Sequence, residues 1–285
     1  MSEKKMIKAA IAGYGNLGKS LRRAIENSDD YALVGIFSRR SLNLPLYLPL
    51  GGAAAYANCI DVLFLAFESS SLPTLAPAVK YFDTVDSFDI HQKAEEYAQR
   101  LNEVKPNTLS LYGAGWDPGL LSIIRSAATL CGKPVTTWGK GVSQGHSNAL
   151  RRINGVTDGV EVTLPVGLGK HKRLCYVCCD KALQERIEGE IRQIPCYFEG
   201  QDVEVRFCTK QQVERIKREG SHAGRVTAST PICSADFLLK TQSNTDLTAA
   251  IMLTYGKVLT KLKAEGKRGA FSVLDIPLRY LGNLL

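Results

Sequence analysis

The feature that most restricts this chain lies at its start. Residues 6–12 (MIKAAIA) read as a strand, Gly13-Tyr14-Gly15-Asn16-Leu17-Gly18 follows at once, and Leu17, Leu21, Ala24 and Ile25 then recur at helical spacing. Three glycines at this spacing mean little alone, but between a strand and a helix they describe a βα turn built to hold a dinucleotide. Gly13 permits the tight turn, Gly15 lets the backbone approach a pyrophosphate, and Gly18 lets the helix pack against the strand. The helix N-terminus offers its free N–H groups to the anion.

The next segments continue in kind. Residues 31–37 (YALVGIF) form a second strand, and residues 61–67 (DVLFLAF) are a continuous apolar run suited to a parallel strand covered on both faces. A helix over 72–82, a strand over 83–86, a helix over 91–104 and a strand over 108–112 follow. This alternation predicts an N-terminal Rossmann-like, doubly wound parallel sheet. After Gly115 the texture changes. Val160, Val162 and Leu164 alternate with Glu161 and Thr163, and Val203, Val205 and Phe207 with Glu204 and Arg206. Period two predicts strands with one covered face, hence a second α+β domain of mixed or antiparallel sheet. Leu183, Ile187, Ile191 and Ile194 mark an amphipathic helix there. A helix over 246–264 carries the chain back. We expect a dinucleotide-binding domain over 1–117, rejoined by about 250–285, and a substrate-binding and dimerisation domain over 118–249.

The end of the second strand selects the cofactor. NAD enzymes place an acid there for the ribose 2′-hydroxyl. No Asp or Glu occurs from residue 31 to 60, and Ser38-Arg39-Arg40 stands in its place. Two guanidinium forks and a hydroxyl suit a 2′-phosphate, which points to NADP; the alternative is a solvated basic loop.

Other classes recede on composition. No apolar run reaches membrane-spanning length, and residues 1–5 lead straight into the first strand without a signal-peptide core, so no membrane association and a cytoplasmic location are expected. Eight cysteines are then expected to be reduced thiols. Cys175-x-x-Cys178 lacks a second Cys/His pair at zinc spacing and reads as small buried strand residues, not a metal site. The net charge of +8 is spread over doublets such as Arg22-Arg23 and Lys172-Arg173, which favours small anions over nucleic acid.

Several longer stretches narrow the reading: IAGYGNLGKS, GIFSRR, DVLFLAF, TVDSFDIH, GWDPG, WGKGVSQGHSNALRRI, HKR at 171–173 and GAFSVLD near the C-terminus. Together, in order from residue 7 to about 275, they resemble the meso-diaminopimelate dehydrogenase family. GWDPG and SQGHS-x-ALRRI are far more specific than the glycine loop. The resemblance implies a homodimer that uses NADP to deaminate meso-2,6-diaminopimelate oxidatively and reversibly at its D-centre, giving L-2-amino-6-oxopimelate and ammonia. Carried over by position, Asp89 and Asp117 orient the reacting amine. Gln144, Gly145, Thr163, Arg173, His222 and Asn244 line the substrate site. Ala66, Phe67, Ser69, Val85 and Asp86 join Gly13 to Gly18 and Ser38 to Arg40 at the cofactor. Two departures stand out. The link from residue 164 to 170 is shorter than in longer members, and Glu68 stands where a small residue is expected beside the phosphates.

Residue chemistry agrees independently. A diamino diacid needs carboxylates for its amine and Arg, His and hydroxyl donors for its far carboxylate, in a cleft of the kind found between domains. Plainer roles stay open at each position. Asp117 before Pro118 would cap a helix, Asp89 would cap the helix near His91, Thr163 suits any strand, and His146 and His222 would be ordinary polar histidines. Trp138 reads as core or pocket wall. If residues 160–164 and 171–175 form a hairpin, a turn centred on Leu168 places Thr163 opposite Arg173, side chains on one face. Rival functions are another NADP-dependent amino-acid or dicarboxylate reductase, such as a dihydrodipicolinate reductase, and a non-enzymatic NADP-sensing protein. GWDPG and HKR argue against the first, and acids facing an Arg against the second.

Overall fold

A computed structural model describes residues 6–218 and 222–282. The chain divides into two compact units, Met1–Ile123 with Thr245–Leu285, and Ile124–Asn244.

The first unit is built on β1 (Ile7–Ala12), β2 (Tyr31–Ser38), β3 (Tyr47–Pro49), β4 (Val62–Leu65), β5 (Thr84–Asp86), β6 (Leu109–Tyr112) and the last strand, β14 (Gly269–Ser272). Their order in the sheet is β14-β6-β5-β4-β1-β2-β3, with every pairing parallel. Parallel strands in such a sheet lose both faces to helices, so β4 is apolar throughout and each of its residues is buried. One face packs Ile11 and Phe64 against Leu21 and Ile25 of α1 (Asn16–Glu26) and Met252, Val258 and Leu259 of the helix Asn244–Ala264. The other packs Leu63 and Leu65 against Phe82, Tyr97 and Leu101.

The expected helix over 72–82 is broken into a single turn, α2 (Leu72–Leu75), and a 3-10 piece, Ala76–Val79. Pro77 explains the break, because it has no N–H to return to the carbonyl four residues back. The helix predicted from 91 starts as a 3-10 turn, His91–Lys93, and becomes α3 at Ala94–Val104.

The second unit holds two sheets. One has the order β11-β10-β9-β8, from β8 (Gly141–Ser143), β9 (Val156–Gly167), β10 (Lys170–Cys179) and β11 (Val203–Phe207). The other is β13-β12-β7, from β7 (Val135–Trp138), β12 (His222–Ser229) and β13 (Ser234–Thr241). β9 is antiparallel to β8 and β10, whereas β11 runs parallel to β10. The helices of this unit are α5 (Gln144–Arg151), α6 (Gln184–Arg192) and α7 (Lys210–Arg218); α4 (Leu120–Ala128) crosses the division between units, and the helix Asn244–Ala264, α8, belongs to the first unit from Thr245 onward.

The one-covered-face expectation for the strand around 160–164 does not hold. Leu150 of α5 and Ile187 and Ile191 of α6 pack with Cys175 and Val177 on one side of the sheet. Val213 of α7 packs with Val160, Val162 and Leu174 on the other. Glu161 and Thr163 are therefore fully buried although their sequence alternates like a half-exposed strand.

The β9–β10 hairpin aligns Arg173 directly with Thr163. The connection is a two-residue loop, Leu168–Gly169, and not an odd-length turn centred on Leu168. Gly167 pairs with Lys170, and a register shift between Lys170 and His171 restores the alignment. Gly169 takes φ +68°, a conformation glycine adopts without strain.

Candidate active site

The glycine turn has the shape a dinucleotide requires. Gly13 sits at φ +97°, and a Cβ there would come within 2.5 Å of the Ala66 carbonyl oxygen. A Cβ on Gly18 would overlap the Gly13 carbonyl oxygen, so helix and turn meet backbone to backbone. Gly15, at the N-cap of α1, faces open space and is exposed with Asn16. Two glycines thus close the turn, and the third leaves room in front of the first N–H groups of α1, which fits a pyrophosphate. Leu17 is half-buried against the core, and Tyr14 accepts a hydrogen bond from Arg22 Nη1 at 3.2 Å.

Beyond β2, the buried Ser38 hydroxyl accepts the Arg40 backbone N–H at 3.1 Å and turns the chain, leaving both arginines exposed. The Arg39 guanidinium lies 5.6 Å from the centre of the Phe67 ring. An aromatic face steadies a cation without using its donors, so Arg39 stays available to a phosphate. Ala66 N–H donates to Ala12 at 2.7 Å, which fixes this segment to β1. Glu68 is exposed.

Val85 and Asp86 are placed differently from the other expected cofactor residues, since both are wholly buried. The Asp86 carboxylate accepts Phe88 N–H at 2.9 Å and Tyr97 Oη–H at 2.7 Å, and burial pushes it up to about 6. It is spent on Phe88 and Tyr97 and shapes the turn into Asp89. Ser69 does the same from the other side, its Oγ accepting the Asp89 N–H at 2.9 Å. A cavity of about 480 Å³ shares Ser69 and Phe88 with this turn but is otherwise lined by residues such as Tyr97 and Arg100; neither acid lines it.

Asp89 and Asp117 are near enough to influence each other. Crowding by protein atoms raises the Asp89 carboxyl although part of its surface meets solvent. The Ser69 hydrogen bond and His91 oppose that rise, and the Asp117 charge adds to it. His91 Nε2 lies 3.8 Å from Asp117 Oδ2. His91 was absent from the expected site, although it closes the motif TVDSFDIH; only spatial placement brings it beside both acids. The capping alternative falls away for Asp89, because the 3-10 turn at His91 has Ile90 at its N-cap. Asp117 stands three residues before Leu120, the first residue of α4, and its Oδ1 accepts a hydrogen bond from Ser122 Oγ at 3.4 Å.

In the second unit, Gln144 and Gly145 open α5 and are not in a loop. Arg173 Nη1 donates to Thr163 Oγ1 at 2.6 Å, and Arg173 Nε donates to Gln201 Oε1 at 2.8 Å. His222, 5 % exposed, begins β12 with its ring edge-on to Trp138, centroids 6.3 Å apart. Burial and the Arg173 charge lower its pKa to about 4, so it is neutral at physiological pH. Its Nδ1 lies 2.9 Å from the Ala223 backbone nitrogen and 3.2 Å from the Ala223 carbonyl oxygen. Asn244 is half-buried at the first position of α8.

The family model described as the diaminopimelic acid dehydrogenase C-terminal domain matches residues 115–169 and 166–238. The meso-diaminopimelate D-dehydrogenase of Corynebacterium glutamicum is 38% identical over 300 residues, covering 95% of this chain and 93% of that protein. This chain belongs to the meso-diaminopimelate dehydrogenase family. Among solved members of the family, the C. glutamicum enzyme in complex with DAP superposes with a TM-score of 0.89 at 36% identity, over 97% of this chain and 96% of that one. An engineered D-amino acid dehydrogenase bound to NADP+ also reaches 0.89, at 34% identity over 98% and 97%.

Proposed function

We propose that this family member oxidatively deaminates meso-2,6-diaminopimelate at its D-configured carbon, with NADP+ as oxidant. The observation that carries the reading is the pairing of Arg173 with Thr163 on neighbouring strands of a hairpin, a donor pair suited to a carboxylate. Identities of 38% and 36% to curated meso-diaminopimelate D-dehydrogenases, over 95% and 96% of this chain, support it.

Gly13 to Gly18 would hold the pyrophosphate, and Ser38, Arg39 and Arg40 the 2′-phosphate, with Ala66, Phe67 and Ser69 supporting the turn. NADP+ supplies the hydride acceptor when bound. Asp89 and Asp117 would grip the reacting ammonium by charge-assisted hydrogen bonds. Asp89, whose carboxyl is raised, would take a proton from the amine nitrogen. Arg173, Thr163 and His222 Nε2 would bind the carboxylate of the L-centre, with Gln144, Gly145 and Asn244 nearby. Orientation and the choice of end are the protein's contributions.

Purified protein mixed with meso-diaminopimelate and NADP+ should generate the absorbance of reduced cofactor. NADP+ binding with no turnover would instead support a sensing role. We further propose a cytoplasmic homodimer. No helix among the described residues is long and apolar enough to cross a membrane. Leu130 and Ile232 in the second unit are 88% and 94% exposed, as residues awaiting a partner copy would be. Sedimentation should give twice the chain mass.

A further inference from the structure

The group this mechanism leaves unused is Glu161. It is fully buried on β9, two residues from Thr163 and on the same face. Its Oε1 accepts from Thr163 Oγ1 at 3.0 Å and lies 3.4 Å from Arg173 Nη1, while Oε2 has no hydrogen-bond partner among the described residues. Its backbone is pinned as well: the N–H donates to Ser147 Oγ at 2.9 Å, and Ser147 Oγ donates to the Ser143 carbonyl at 2.6 Å. A carboxyl held this way is part of the architecture around Arg173.

We propose that Glu161 balances the charge of the distal-carboxylate subsite, neutralising Arg173 in the free protein and taking up a proton when the substrate's far carboxylate binds there. The proposal rests on the reading that Arg173 and Thr163 hold that carboxylate. The Thr163 hydroxyl has one proton, and in this structure it is committed to Glu161. A substrate carboxylate needs the same proton and the same guanidinium, and two buried carboxylates facing one Arg repel each other. Protonation of Glu161 removes both conflicts. Its new O–H donates to Thr163 Oγ1, whose second lone pair still accepts from Arg173 Nη1, and the Thr163 proton turns to the substrate. The proton comes from solvent, and no covalent bond other than that O–H is made.

The surroundings permit this. On β10, Arg173 is the cation facing Glu161, and Cys175, its direct strand partner, is a thiol pushed up by burial. On α5, His146 is held neutral, lowered to about 3 by burial first and by Arg173 second. β8 pairs through Ser143, and His222 of β12 is neutral at physiological pH. Burial raises the Glu161 carboxyl to about 7 against the pull of Arg173, so the switch falls in a working pH range.

The experiment has two arms. The first compares kcat/KM for meso-diaminopimelate with that for D-norleucine, which has no distal carboxylate, so that titrations at the reacting end cancel. In the wild type the ratio should fall above about pH 7, approaching tenfold per pH unit. In Glu161→Gln, whose amide N–H donates permanently to Thr163, the ratio should be flat; identical profiles for the two proteins would overturn the proposal. The second arm needs no variant: calorimetry of meso-diaminopimelate binding to the NADPH-loaded protein, in buffers of different ionisation enthalpy. About one proton should be taken up near pH 8 and almost none near pH 6. Binding and turnover with no proton uptake would overturn this inference and leave the proposed reaction standing. Absence of any turnover or binding would remove that reaction, and the inference with it.

Discussion

Arg173 Nη1 and Thr163 Oγ1 are 2.6 Å apart, on residues that face each other directly across β10 and β9. Arg173→Met keeps much of the side chain's length and removes its donors. It should lower kcat/KM for meso-diaminopimelate by roughly 2–4 kcal/mol, consistent with stranding a buried carboxylate. D-Amino acids with no distal carboxylate should lose much less. Equal losses for the two substrate types would rule out this role for Arg173.

Arg39 rests on the Phe67 ring, a contact that uses none of its N–H donors. Arg39→Ala should raise KM for NADP+ by roughly 1.5–3 kcal/mol and leave NAD+ almost unaffected. Gly15→Ala fills open space, so it should weaken cofactor binding with little change in Tm. The idea fails if the wild type uses NAD+ and NADP+ with the same kcat/KM.

Asp117 lies outside α4 and faces His91, so Asp117→Asn should cost turnover and spare the fold. We expect kcat to fall at least about tenfold while Tm and NADP+ affinity stay near wild type. Unchanged turnover would reduce Asp117 to a structural residue.

His222 is lowered from 6.5 to about 4 in the folded protein. The unfolded chain therefore binds the extra proton first. The stability it contributes is complete above about pH 6.5 and is lost as pH falls toward 4. Glu161 and Asp86, raised by burial, contribute with the opposite sign over part of this window. The clean reading is the difference between variant and wild type. Relative to wild type, His222→Asn should gain about 1.4 kcal/mol per pH unit between about pH 6 and 4.5. Parallel stability curves would mean that His222 is already protonated in the fold.

The sequence made plain those features whose physics is local. The glycine turn follows from three residues between a strand and a helix, and the arginines after β2 follow from the missing acid. The Thr163–Arg173 alignment follows from period-two spacing and a short link, although the register shift at His171 that restores it is invisible in the pattern. What stayed hidden depends on distant cover. Val160-Glu161-Val162-Thr163 alternates like a half-exposed strand, and only α5 and α6 packing over the polar residues reveals a buried acid beside Arg173. His91 is an unremarked polar residue until β5 and the turn after it bring it to Asp117. Asp86 carries a motif position yet turns inward to Tyr97, a choice made by α3, which lies outside the motif.

In the proposed reaction the hydride leaves the D-configured carbon. The most direct test uses meso-diaminopimelate deuterated only at that carbon, with mass spectrometry of the NADPH formed. Deuterium should appear in the reduced cofactor, and none when the label is at the L-centre. Label arriving from the L-centre, or NADPH that carries deuterium from neither, would contradict this reaction.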